Sequence, residues 1–209
     1  MRRQLSGAFG EEDIPPCEHV CFSASSRVFG AVCDSRIFIW KHLPYATEPS
    51  TAVITIKNFR AGGPIWDGRC IRYNSEIQHL AISDGPPYVA VATSKRRLLF
   101  FSCSRELLVS EALLGSHAKH LRFGPPAEER SGGQEVLATI CEGGELVFWQ
   151  VGLWNRVWSR LFHANVTAIA FCPAARVPYV AVATEMPSVT IMRTNPWEVR
   201  GLESSVKIR

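Results

Sequence analysis

The sequence predicts an all-β fold made of about four units of four strands each. The heptapeptide Pro-Tyr-Val-Ala-Val-Ala-Thr occurs twice, beginning at Pro87 and again at Pro178. Each copy stands in the same pattern: an apolar strand, a proline-containing turn, the heptapeptide, a short polar turn and a third apolar strand. The two copies lie two periods of about 45 residues apart, a spacing typical of β-propeller blades, so a further unit should lie between them.

The other two units follow the same order of strands. The second strand of every unit is short and continuously apolar, as in FGAVC, VAVAT and LATIC, which is typical of a strand covered on both faces. The third strands end on a large side chain that would fill the wedge between adjacent sheets, so we predict equivalent, buried positions for these side chains. They belong to Trp40, Phe101, Trp149 and Met192.

A more polar candidate for a fourth strand follows each third strand. These candidates are TAVITIKNF, ELLVSEALL, NRVWSRLF and, near the C-terminus, SSVKIR. Charged and apolar residues alternate in them, as in the run from Arg156 to Arg160, which favours a place at a solvated rim. The segment SRELLVSEALLGS is the closest to a helical period, but its place in the repeat favours a strand.

A family resemblance rests on the segment HANVTAIAFCP, from His163 to Pro173, together with the strand-ending residues Trp40 and Trp149. On these residues the sequence resembles the WD-repeat β-propeller family, over a stretch that runs from Cys17 to Arg209. Residues 1–16 are expected to form a polar N-terminal tail. The resemblance implies a β-propeller in which the four blades form either a small ring or part of a larger propeller.

The sequence departs from the family pattern in every unit. Lys41 and Gln150 replace the aspartate that follows the tryptophan in the family, and the glycine–histidine pair is reduced to a lone histidine at His117 and His163. The His–Asp–Trp hydrogen-bond network implied by the resemblance is therefore incomplete. Apolar packing must supply most of the stability.

The composition restricts the class of protein. The chain has 209 residues, of which 46% are apolar, and its net charge of +4 comes from basic residues that are scattered rather than gathered into a patch. No apolar run approaches the roughly 18 residues that a membrane span needs. The seven cysteines, mostly isolated among apolar residues, are typical of free thiols in a reducing compartment. We therefore expect a cytoplasmic or nuclear protein without membrane association.

Motifs for catalysis and for cofactors are missing from the sequence. It contains no Gly-x-Ser-x-Gly elbow, no Gly-Lys-Ser/Thr and no Gly-x-Gly-x-x-Gly phosphate loop. Cys17, His19 and Cys21 form the only metal-like spacing, and they lack the second pair of ligands that a zinc site needs. We therefore predict a protein that is not an enzyme, with no cofactor, no metal and no small-molecule substrate.

The interval between the first and second units carries an insertion of about fifteen residues relative to the repeat, within the segment from Phe59 to Glu76. The segment contains Trp66, Arg69, Arg72 and Tyr73, which are residue types enriched at interface hot spots. We predict a partner-binding surface there, and a loop folded back on its own unit is the alternative. The family resemblance implies a scaffold or adaptor that binds other protein subunits within a larger complex.

Two further hypotheses concern other partners. The turn of Lys95, Arg96 and Arg97 can contact phosphate, so the alternative function is a propeller subunit that contacts RNA or DNA in a ribonucleoprotein or chromatin complex. Four blades are the lower limit for a propeller, and SSVKIR is a weak closing strand. We therefore expect the outer apolar faces of the first and last units to need another protein for stability, and a closed ring of four blades is the competing arrangement.

Overall fold

The structure is a computed structural model that describes residues 17–23, 28–33, 36–41, 54–56, 70–71, 76–84, 88–102, 105, 107–124, 135–172, 179–193 and 204–207. These residues form four β-sheets, which we number 1 to 4 in chain order. Among them, one turn of 3₁₀ helix, Glu142–Gly144, is the only helical element. No helix in this part of the chain is long and apolar enough to cross a membrane.

The strands follow one another in chain order across each sheet. Sheet 1 contains β1 (Cys17–Phe22), β2 (Val28–Cys33), β3 (Arg36–Lys41), β4 (Ile54–Ile56) and β5 (Cys70–Ile71). Sheet 2 contains β6 (Ile77–Ile82), β7 (Tyr88–Thr93), β8 (Arg97–Ser102) and β9 (Leu107–Leu113). Sheet 3 contains β10 (Ala118–Phe123), β11 (Val136–Cys141), β12 (Glu145–Gln150) and β13 (Arg156–Leu161). Sheet 4 contains β14 (Val166–Phe171), β15 (Tyr179–Thr184), β16 (Ser188–Arg193) and β17 (Ser204–Lys207).

The repeat of four strands in four units is confirmed. The first four strands of each sheet form an antiparallel meander that begins with the first strand at one edge. The strand β9, which pairs with β8, lies within the segment SRELLVSEALLGS. A fifth strand in sheet 1 was not predicted: β5 pairs in parallel with β4 through Thr55 opposite Cys70. The inserted segment therefore adds a short edge strand to sheet 1.

All four first strands share one irregularity, a β-bulge at their second residue. The paired residues skip one position in every first strand, between Cys17 and His19 in β1 and at the equivalent place in the other sheets. A bulge adds one residue to one strand and bends it, and its recurrence shows that the four units share their backbone geometry in detail. The bulged residues are Glu18, Gln78, Lys119 and Thr167.

Each sheet has two faces, and the register of the strands determines which residues share a face. We call the face with the fourth and sixth residues of the first strand the leading face, and the opposite one the trailing face. In sheet 2 the leading face joins Ile82, Val89 and Phe101 in one row, because directly opposite residues of antiparallel strands point to the same side. Ala90 and Phe100, which are opposite each other, lie on the trailing face.

The chain divides into two compact units, Met1–Leu113 with sheets 1 and 2 and Leu114–Arg209 with sheets 3 and 4. In the first unit, Val28 and Val32 on the trailing face of sheet 1 pack in one core cluster with residues of the leading face of sheet 2, such as Leu80 and Phe101. The second unit repeats this arrangement. Its cluster joins the trailing face of sheet 3 to the leading face of sheet 4, and it includes Ala138, Ile140, Leu146, Phe148, Ile169, Val180, Val182 and Met192.

The predicted equivalence of the residues that end the third strands is confirmed in the backbone. Each of the four is paired with the second residue of its second strand. The side chains of Phe101, Trp149 and Met192 are buried, whereas the side chain of Trp40 lies outside what the structure describes. Phe101 and Met192 belong to the two core clusters, so these side chains fill the space between adjacent sheets, as predicted.

Candidate interaction surface

The predicted partner-binding residues Trp66, Arg69, Arg72 and Tyr73 lie outside the described residues. Two parts of the inserted segment are described. Its strand β5, of which Arg69 and Arg72 are the immediate neighbours in sequence, pairs with the outer edge of sheet 1.

The end of the inserted segment is attached to sheet 2. The backbone N–H of Glu76 donates to Ser94 Oγ at 3.2 Å, and the N–H of Ser94 donates to the Glu76 carbonyl at 2.9 Å. The inserted segment is thus attached to sheet 1 through β5 and to sheet 2 through Glu76.

The basic turn between β7 and β8 is organised by its own backbone. The Arg96 N–H donates to the Thr93 carbonyl at 3.0 Å, and Arg96 adopts a left-handed conformation with φ of 59°. The guanidinium of Arg97 forms an ion pair with Glu111 of β9. Lys95 and Arg96 remain exposed, so the turn presents two exposed cations next to a carboxylate, which weakens it as a phosphate site.

Three histidines share one structural position, an equivalence that was not predicted from the sequence. His19, His79 and His120 are each the third residue of a first strand, directly after the bulge. His19 Nε2 donates to the Ile77 carbonyl at 2.9 Å, and so connects β1 to β6. The sequence feature that marks this shared position is a histidine two residues after the start of each of these strands. The histidines weighed from the resemblance, His117 and His163, lie instead in the connections before β10 and β14.

The tryptophan of sheet 3 makes a buried polar contact. Trp149 Nε1 donates to Thr139 Oγ1 at 2.9 Å, and both residues are buried on the leading face of sheet 3. His163, the family-pattern histidine of the next unit, is exposed. The polar contact of Trp149 joins β12 to β11 within sheet 3.

Two of the described thiols, those of Cys21 and Cys141, are held in the protonated, unreactive form by burial. Burial raises the pKa of the Cys21 thiol from its ordinary value of 9.0 to about 12. Burial, reinforced by the negative charge of Glu145, raises the pKa of the Cys141 thiol to about 12 as well. A thiolate is the reactive and metal-binding form, and both residues stay protonated at neutral pH. In the described part of the chain, no group of three histidine, cysteine or acidic side chains is arranged to hold a metal ion.

We expect the stability of the protein to fall as the pH rises from about 9 to about 12, in part because of Cys141. The folded thiol keeps its proton in this window, whereas the unfolded thiol loses it, so the unfolded state gains stability. Melting curves recorded from about pH 8 to pH 10 should show a smaller loss of melting temperature for Cys141→Ala than for the natural chain. An equal loss for both proteins would contradict the raised pKa.

Known proteins resemble this chain in structure. No family model matches it, and no curated protein matches it by sequence. Two solved structures, the structure of U3-55K and the crystal structure of RRP9 WD40 repeats, each match 94% of the chain at 14% identity with a TM-score of 0.60. The chain spans about half the length of these structures, 53% and 52% respectively. With four meander sheets in sequence and these neighbours, the chain has a WD-repeat β-propeller fold.

Proposed function

We propose that this protein is a non-enzymatic scaffold that binds other protein subunits through the inserted segment of sheet 1. The single observation that supports this function is the insertion itself. It interrupts an otherwise regular repeat, and its sequence contains Trp66, Arg69, Arg72 and Tyr73. The segment is attached through the edge strand β5 and through the contact of Glu76 with Ser94. Attaching a binding segment to a folded sheet lowers the entropy that the segment loses on association.

The proposal is tested with the variant Trp66→Ala. A protein retained by the natural chain in affinity purification is identified by mass spectrometry, purified, and titrated against both chains. We expect its binding to weaken by about 2 kcal/mol or more, which is roughly 30-fold in Kd, because tryptophan is a common hot-spot residue. The melting temperature should stay nearly unchanged.

The matched control is Leu153→Ala, which removes an exposed apolar side chain from the turn between β12 and β13. It should leave both binding and melting temperature unchanged. If Trp66→Ala instead unfolds readily and binds normally once folded, the tryptophan belongs to the core and the proposed surface is wrong.

Nucleic-acid binding is the alternative function. It is supported by two exposed cations, Lys95 and Arg96. Phosphate contacts release counterions, so such binding would weaken steeply with salt. We expect the Lys95→Glu, Arg96→Glu double variant to bind its protein partner as the natural chain does. Binding of a single-stranded RNA that depends on salt and is lost in this variant would favour the alternative.

A further inference from the structure

The trailing face of sheet 4 is apolar but not buried. It carries Ala168 and Ala170 on β14, which are exposed, and Ala181 and Ala183 on β15, which are half-buried. On β16, Ile191 is opposite Ala181 and is 36% exposed. A continuous apolar face at the surface of a sheet is typical of an association site.

A comparison within the chain shows that this exposure is not a property of the local sequence. Strands β7 and β15 have the identical sequence YVAVAT. On the trailing face, Ala90 and Ala92 of β7 are fully buried, whereas the equivalent Ala181 and Ala183 of β15 are half-buried. Phe100 of sheet 2 is likewise fully buried, although the equivalent Ile191 is exposed. Sheet 4 therefore presents to solvent a face that its repeat buries elsewhere.

The other trailing faces show which side chains pack against a face of this kind. The position of Ala181 is taken by Gly30 in sheet 1 and by Ala138 in sheet 3, and both are buried. A Cβ added to Gly30 would lie 3.6 Å from Leu80 and 3.7 Å from Ile82. Small residues in the middle of the second strand thus let the large side chains of the following leading face approach closely.

The complementary surface is the first strand of the leading face of sheet 1, whereas Phe29 and Ala31 of β2 on the same face are buried. Val20 and Phe22 are the fourth and sixth residues of β1, and they are 55% and 59% exposed. The equivalent residues of sheets 2 and 4 pack into the two core clusters, which leaves only sheet 1 with these two positions open to solvent among the four described sheets. Phe22 lies against Phe29 of β2 with ring centroids 5.0 Å apart, so the exposed side chains continue an apolar surface. The packed equivalents are Leu80, Ile82, Ile169 and Phe171.

We infer that the trailing face of sheet 4 binds the leading face of sheet 1 from a second copy of this chain. The same type of contact already occurs twice within the chain, between sheets 1 and 2 and between sheets 3 and 4. The second strand of sheet 4 offers the small residues Ala181 and Ala183, flanked by Tyr179 and Ile191. The first strand of sheet 1 offers the large residues Val20 and Phe22. Small residues of a second strand face large residues of a first strand in the contact between sheets 1 and 2 as well. The result is a head-to-tail association of copies.

The first test is the mass of the purified chain in solution. Size-exclusion chromatography with light scattering should give at least twice the 23.2 kDa of one chain, with a mass that falls on dilution. Ala181→Asp places a charge on the open face of sheet 4 and should give a folded monomer. Ala90→Asp, the same change in the identical sequence of β7, should prevent folding because that alanine is fully buried. Circular dichroism separates the two outcomes.

A mixing experiment tests the direction of the contact. Phe22→Asp spoils the leading face of sheet 1 and should also give a folded monomer. A mixture of Phe22→Asp with Ala181→Asp retains one intact pair of faces, so it should form a heterodimer although neither variant associates alone. Val20→Asp replaces Phe22→Asp if the latter does not fold.

The other occupants of these faces predict different results. A natural chain that is monomeric at all concentrations would overturn the inference. Binding of a hydrophobic dye would then distinguish two cases. Little dye is bound if the two faces meet within one chain, and much dye is bound if both faces stay open. Association that survives Phe22→Asp and Val20→Asp would also overturn it, because the contact would then join two copies of sheet 4.

Discussion

Replacing Trp149 with alanine is expected to lower the free energy of unfolding by about 3–5 kcal/mol. The side chain is only 5% exposed and belongs to the second-last residue of the third strand of sheet 3, where its removal leaves a cavity in a close-packed region. Urea unfolding followed by circular dichroism measures the change. A cost of no more than about 0.5 kcal/mol, as for a surface substitution, would contradict a core role for Trp149.

The polar part of this effect can be separated by Thr139→Val. This change keeps the shape of the side chain but removes the acceptor of the Trp149 indole N–H, which then stays buried without that partner. We expect a cost of about 1–3 kcal/mol. If Thr139→Val costs nothing, the contact between Trp149 and Thr139 does not contribute to stability, and the packing of the ring accounts for the whole loss.

Replacing Gly144 with alanine is expected to destabilise the protein by about 2–5 kcal/mol, from two causes. Gly144 has a left-handed backbone with φ of 84°, which costs a residue with a Cβ about 1–2 kcal/mol. The added Cβ would also lie 2.6 Å from the carbonyl oxygen of Ala164 and 3.0 Å from that of Phe162. The backbone that follows β13 must therefore move.

Gly143 provides a matched control in the same turn. It has a similar φ of 78°, but an added Cβ would meet no atom within 4 Å. Gly143→Ala should thus show the conformational cost alone, about 1–2 kcal/mol. Chemical unfolding of both variants gives the difference, and equal losses would mean that the close approach at Gly144 relaxes without cost.

The order of the four repeated strands in each unit was determined by the sequence alone. The apolar second strands, the third strands that end on a large residue and the polar turns recur with one period, so each unit supports the assignment of the others. For the segment SRELLVSEALLGS this repeat outweighed a helical period, and β9 is a strand. The register that aligns Phe101, Trp149 and Met192 follows from the same repetition.

Several features became visible only in the structure. The bulges that align His19, His79 and His120 depend on how two strands pair, and the sequence of one strand does not contain that information. The short strand β5 forms because its two residues pair with the edge of β4. The end of β4 at Ile56 lies fourteen positions before the start of β5 at Cys70. Its own sequence, CI, is too short to predict a strand.

The burial of the repeated heptapeptide shows most clearly what local sequence does not predict. Within it, YVAVAT forms β7 and β15 in the same register, and in both strands the valines of the leading face are buried. The alanines of the trailing face are fully buried in β7 and half-buried in β15. Local sequence determined that each segment is a strand and which face each residue takes, because side chains alternate along a strand. Whether a face is covered depends on elements distant in the chain or in another molecule, so only the tertiary structure decided it.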